Sequence, residues 1–352
     1  MIDVFHAWAE NAPEAPVAIT LRQKLVSVEG EDAAIFPPTY ANIDYNIDTL
    51  TDGTKVALID SVGSQANRME PIFKDEPYSE LVPQITIMAG NHRPISIFEV
   101  GHRVADALVR SSRLISDPSL PLVKIISKAF SALAKGNAEP MAKLAPTSLV
   151  FGVWDSRGEG IKVPRLISSV IRAYDVSELR RSAQYMPPLM PDQYAELMKL
   201  SDKEKEELEE AQQKTDKPMA KAGFVPVPSV DKPGGIIAHG GVRRDATVNL
   251  VALRRLDGDN APGLRRYILG LTLVAATWPQ DGYLRQGCQL VAAEPATWQA
   301  VYRDGRREDI ELSHDDALTF ARQAMQEFGK GEDMQAEFES GLAREVLKKA
   351  KK

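Results

Sequence analysis

The stretch Ile59-Asp-Ser-Val-Gly-Ser-Gln-Ala-Asn-Arg-Met-Glu70 sets how the rest of the chain is read. An apolar run, Lys55-Val-Ala-Leu-Ile59, leads into it and stops at Asp60 and Ser61, just ahead of Gly63. Beyond the glycine come Ser64, Gln65, Asn67, Arg68 and Glu70, with only Ala66 and Met69 apolar. This pattern predicts a strand that turns through a glycine into the polar start of a helix. Hydroxyl, amide and guanidinium groups then gather where backbone N–H groups are also free, a corner suited to a phosphate or sugar edge. The same residues equally describe a helix cap with one surface arginine, and taken alone they leave both readings open.

A second region bears on the choice. It runs Phe151-Gly-Val-Trp-Asp-Ser-Arg-Gly158, then Lys162-Val-Pro-Arg165 and on to Val176, then Arg181-Ser-Ala-Gln-Tyr185. Together with Ser64-Gln-Ala-Asn-Arg-Met-Glu70, in this order and separation, it resembles the backbone subunit of type I-U (I-G) CRISPR effector complexes. That subunit is a Cas-seven-type RAMP protein of the Csb family, and the resemblance spans roughly residues 20–300. It implies an α+β fold: an RRM-like (ferredoxin-like) antiparallel sheet palm with helical insertions forming thumb and fingers. It also implies several copies aligned head to tail on one guide crRNA, with target DNA reached by way of the guide. The other partners it implies are the large subunit and the end-capping and repeat-processing subunits. Carried over residue by residue, Ser64, Gln65, Asn67, Arg68, Lys162 and Arg165 are the implied guide contacts. Heterologous contacts that do not close would give an open filament.

Composition is compatible with this. Of 352 residues, 43% are hydrophobic, enough for a substantial core. The single cysteine, Cys288, excludes an internal disulfide and fits a reducing cytoplasm. No signal peptide and no run of about 18 apolar residues is visible, so a cytoplasmic protein without a membrane partner is expected. The net charge of −6 argues against a nucleic-acid binder until it is mapped. Residues 304–339 hold eleven acidic and four basic residues, leaving the rest of the chain near +1. A phosphate-tracking groove needs local positive potential, not a basic whole.

Along the chain, Ala18 to Gly30 alternates as a strand and Leu122 to Leu133 reads as a helix. Residues 95–115 read as an amphipathic helix. Leu149 to Asp155 reads as a strand, Pro164 to Arg172 as a helix, and Tyr267 to Ala276 as a strand. Prolines frame residues 186–235, whose charged stretch from Ser201 predicts a solvated helix within an inserted arm, a possible thumb. The palm then comprises 1–185 and 236–303, and 304–352 forms an acidic helical C-terminal tail.

Catalytic motifs are missing. Gly234 to Gly241 lacks the Gly-Lys-Ser/Thr ending of a phosphate loop, and no Gly-x-Ser-x-Gly elbow occurs. The five histidines are scattered, so no metal, cofactor or catalytic residue is expected. Asp60 and Asp155 each end a strand and suit turn capping or an arginine partner better than Mg²⁺. The glycine-rich stretch 234–241, followed by Arg243 and Arg244, offers a backbone able to approach a ligand beside two cations. Arg157, Arg172, Arg180 and Arg181 are weaker candidates, and Trp154 and Tyr185 are candidate stacking platforms. Two other classes remain: a RAMP-type RNA endonuclease and a non-catalytic protein scaffold.

Overall fold

The computed structural model describes residues 2–156, 158, 160–213 and 217–350. The elements that position the site are β1 (Ala18–Ser27), β2 (Lys55–Asp60), α1 (Val62–Met69), β3 (Ile167–Tyr174), β4 (Val176–Tyr185), β5 (Val227–Ala238), β6 (Val242–Asn249), α2 (Ala261–Thr277) and α3 (His314–Phe328). Arg157 lies outside the described residues.

Alternation builds the main sheet. In β6, Val242, Arg244, Ala246 and Val248 are buried while Arg243, Asp245, Thr247 and Asn249 alternate with them on the other face. In β1, Ile19 and Leu21 are buried and Arg22 and Lys24 are exposed. The antiparallel register sets Lys24 opposite Arg243 and Gln23 opposite Arg244. On its other side β6 pairs with β3, setting Arg172 opposite Arg243 and Ile171 opposite Arg244. Among the described residues nine strands join this sheet, β1, β6, β3 and β2 lying in that order. Every pairing around these four strands is antiparallel, including Trp298–Val301 on β1. The fold is mixed α+β, with helices packed on the inner face.

α2 is apolar nearly all round and buried continuously from Tyr267 to Ala276, as a helix in the middle of a core must be. It packs on α3, where Tyr267 stacks on Phe328 at 5.2 Å. Gly270 sets their separation, since a Cβ there would stand 2.7 Å from the Ala321 Cα. Phe5, Trp8 and Phe320 continue the same core.

Several expectations are corrected. Tyr267 to Ala276 is helix rather than strand, because a continuous apolar run suits either and length decides for helix. Pro164 to Arg172 leads into strand β3 rather than forming a helix, its inward positions Ile167, Ser169, Ile171 and Ala173 all being buried. Leu149 to Phe151 closes a short buried helix, and only Val153–Trp154 is strand. Residues 95–115 hold 3-10 turns and one four-residue helix, Ala107–Arg110. Within the acidic helical tail expected at 304–352, α3 packs in the core, and Met334–Phe338 is an inner strand of a second sheet, parallel to Ile85–Met88 and antiparallel to Ser112–Leu114.

The arm is a long antiparallel hairpin of β4 and β5. Three short helices, Pro191–Leu197, Asp202–Gln213 and Pro218–Ala222, lie between its strands. Every residue of β4 after Val176 is exposed, so the exposed stretch begins nine residues before the expected 186.

Candidate nucleic-acid interface

The β2–α1 corner forms as the sequence predicts. Ser61 caps α1, its side chain accepting from the Ser64 N–H. The polar groups that follow, however, turn inward. Asp60 is 1% exposed and accepts from the Ser64 hydroxyl at 2.7 Å, the Gln65 amide at 2.7 Å and Arg68 Nε at 3.0 Å. Arg285, which sequence reasoning missed, adds a guanidinium bond to Asp60 at 3.4 Å and one to the Ile59 carbonyl at 2.9 Å. Arg68 also donates to the Leu284 carbonyl at 2.9 Å. Gln65 is wholly buried, whereas Asn67 is exposed and its side chain makes no hydrogen bond among the described residues. Asp60 and Asp155 both hold arginine: Asp155 pairs with Arg110. Among the described residues no cluster of three or more His, Cys, Asp or Glu could hold a metal.

Arg243 and Arg244 part company. Strand parity sends Arg244 to the inner face, where it is 7% exposed and donates to Ser169 Oγ at 3.0 Å. Burial pushes its pKa down to about 10, so it stays charged at neutral pH. Arg243 faces outward, held by Asp245 at 3.0 Å and by the Tyr174 hydroxyl at 2.8 Å, with its guanidinium over the Tyr174 ring. The glycines before the pair answer to chain packing. A Cβ on Gly234 would meet the Arg180 backbone at 2.8 Å, and one on Gly240 the Tyr174 carbonyl at 2.9 Å.

The register assembles what the motifs did not. Lys24, Arg243 and Arg172 stand directly opposite one another on β1, β6 and β3, in one row across the outer face. Arg22 flanks the row, reaching Asp245 at 3.7 Å, and Lys24 reaches Glu294 at 3.5 Å. The Arg172 side chain makes no hydrogen bond or ion pair among the described residues. Like charges directly opposite in a sheet repel; Asp245 beside Arg243 and Glu294 beside Lys24 offset part of that repulsion, and Arg172 has no such acid among the described residues. The i, i+2 spacing of Arg22 and Lys24 in an alternating strand was the sequence signal for it.

Lys162 and Arg165 form a separate exposed cluster before the start of β3. Lys162 pairs across a two-strand ribbon with Trp154, which is 60% exposed. The run from Ile167 to Arg172 separates this cluster from the row by ~16 Å at ~3.3 Å per residue. Tyr185 is exposed in the arm, at the end of β4. No helix among the described residues is long and apolar enough to cross a membrane.

Residues 19–178 match the model of the family described as CRISPR-associated protein GSU0053. That region contains the Ser64–Glu70 and Lys162–Arg165 motifs, but neither Arg243 nor Arg244. No curated protein matches the chain. Among solved structures, a chain titled "CRISPR RNA-guided surveillance complex, pre-nicking" aligns over 95% of this chain and 99% of its own length, at 12% identity and a TM-score of 0.37, too low to bear on the fold. The family match agrees with the resemblance read from the sequence: over residues 19–178 this chain is similar to the CRISPR-associated GSU0053 family.

Proposed function

We propose that this protein is a repeated backbone subunit of a type I CRISPR effector complex, gripping guide crRNA by its sugar–phosphate chain. The observation that carries the reading is the row Lys24–Arg243–Arg172 on the outer face of the sheet. Chain order supports an RRM-like palm. β1, helical segments, β3, β6, α2 and Trp298–Val301 follow a β-α-β-β-α-β order. Trp298–Val301 lies beside β1, β1 beside β6 and β6 beside β3. RRM sheets usually stack bases on aromatics of their central strands. Here the outward positions of β1 and β6 carry Arg22, Lys24, Arg243, Asp245 and Thr247 instead. Cations on these strands hold phosphates and leave bases free to pair with target DNA, and Tyr174 on the neighbouring β3 has its ring under the Arg243 guanidinium. Asn67 and the Lys162, Arg165 and Trp154 cluster are further contact candidates, and Arg68 is a partial one, its side chain being 30% exposed. Gln65 and Arg244 act behind the surface.

Co-expression with a repeat–spacer array tests this. A guide binder co-purifies with RNA of defined length. Lys24→Ala, Arg172→Ala and Arg243→Ala combined should weaken RNA binding about 100-fold, at ~1 kcal/mol for each exposed contact. The loss should be equal across spacer sequences, and the log–log salt slope should flatten by about 2. RNA that emerges shortened would indicate an endonuclease, and protein free of nucleic acid would indicate a scaffold.

A further inference from the structure

Beneath the outer row, on the opposite face of the same strands, lies a half-open cavity of about 400 Å³. Its floor includes Arg244, Gln23 and Ile171, and its mouth includes Trp278, Gln280 and Asp281. Two features of the cavity lack an explanation in the fold.

The first is charge. Arg244 has no carboxylate of its own. It donates to Ser169 Oγ, Ser169 donates to Gln65 Oε1 at 2.8 Å, and Gln65 donates to Asp60. That relay ends on a carboxylate already shared by Arg68 and Arg285. Three guanidinium groups therefore share one buried anion. Asp281 stands exposed at the rim, where an oxygen accepts from the Tyr283 N–H. A buried cation without a counter-charge is costly even when, as here, it also donates to the Ala276 carbonyl at 3.4 Å, and an anion entering the cavity would supply the missing charge.

The second is an orphaned donor. Gln65 Nε2 is committed to Asp60, so the Gln280 atom that faces it at 3.5 Å is the oxygen. The Gln280 amide nitrogen is left buried with no partner. An unpaired buried donor costs on the order of 1–3 kcal/mol. Guanidinium, two amides and a partly exposed indole line one cavity, and its volume lies within the ~300–1,000 Å³ of small-molecule sites.

We propose that this cavity binds a 5′-mononucleotide, its phosphate on Arg244 and its base edge on Gln280 and Gln23, with Trp278 alongside the base. The nucleotide is either free or the 5′-phosphorylated end of an RNA. The site is distinct from the outer row and stands or falls independently of it.

Titration of the full-length protein with adenosine 5′-monophosphate, followed by calorimetry and thermal melting, tests the proposal. Saturable heat and a raised melting temperature are expected, with adenosine at least tenfold weaker for want of phosphate. Gln280→Ala, at the half-buried mouth, should weaken binding about tenfold, and Arg244→Met should abolish it. The triple outer-row variant should bind the nucleotide as the wild type does. A 5′-phosphorylated hexanucleotide that binds tighter than the free nucleotide assigns the site to an RNA end. The reverse order assigns it to a free nucleotide, and either order upholds the site. No heat and no melting shift would overturn the proposal, as would equal affinity for adenosine or unchanged affinity in Gln280→Ala.

Discussion

The two faces of β1, β6 and β3 treat the same residue type in opposite ways. Arg243 and Arg244 are consecutive, yet one meets water over Tyr174 and the other is buried behind the sheet at the edge of a cavity. On the outer face, solvent screens the repulsion among Lys24, Arg243 and Arg172, so the cations remain available for exchange with a mobile polyanion. On the inner face, screening is weak and charge must be balanced by fixed groups. There the Ser169–Gln65 relay carries Arg244 toward Asp60. The outer face is thus a surface whose strength depends on salt, whereas the inner face is a structural network whose strength does not.

The sharpest way to break this comparison is at Asp60. Its carboxylate collects the Ser64, Gln65, Arg68 and Arg285 donors while 1% exposed. Asp60→Ala strands two guanidinium groups that are themselves only partly solvated. We expect a loss of about 3 kcal/mol in urea unfolding, the scale for removing one partner of a buried ion pair. The loss should persist at high salt. A cost below ~1 kcal/mol would mean the inner network does not anchor the corner.

A second buried arginine sharpens the contrast by having its own acid. Arg103 is 6% exposed and lies 2.7 Å from Glu70. Burial pushes the Glu70 carboxyl up to about 7 despite this cation. The folded value lies above the unfolded one, so the native state holds the proton more tightly between pH ~4.5 and ~7. This group's contribution is therefore fully present below pH ~4.5, falls as pH rises to ~7, and is flat beyond. The fall should amount to about 3 kcal/mol. Glu70→Gln should remove that slope from a pH series of urea unfolding. An unchanged slope would assign it elsewhere.

What the sequence made legible follows the same division. The β2–α1 corner and its Ser61 cap are local chemistry, and the twelve residues from Ile59 to Glu70 carry it. Which way the polar side chains of α1 would turn was not local. Arg285, which shares Asp60 with Arg68, comes from far along the chain, so no spacing rule could reveal that hub. The pairing of Arg243 with Arg244 as one cationic patch ignored strand parity, although the alternation Val242, Arg244, Ala246, Val248 was available to be read. Arg22 and Lys24 were legible by the same parity. Their row with Arg172 was not, because cross-strand register is set by tertiary contact. Tyr267 to Ala276 misled because a helix buried on every side shows no amphipathic period.

The smallest expected effect makes the finest test. Replacing a buried, uncompensated arginine by an apolar residue of similar length is often neutral or stabilising, because desolvation cost disappears with the charge. Arg244→Met forfeits the bond to Ser169 and removes the surplus cation of the relay. The two should offset to within about 1 kcal/mol in ligand-free protein, read as the urea midpoint with an unchanged slope. Arg243→Met, one residue away, should be as mild, since its Asp245 and Tyr174 partners are partly exposed and return to water. The two variants then separate on ligands: Arg243→Met weakens RNA in a salt-dependent way, and Arg244→Met does so only through the cavity. If Arg244→Met instead costs 3 kcal/mol or more, the buried guanidinium is already balanced within the fold, and the inner face is a finished core with nothing left to bind.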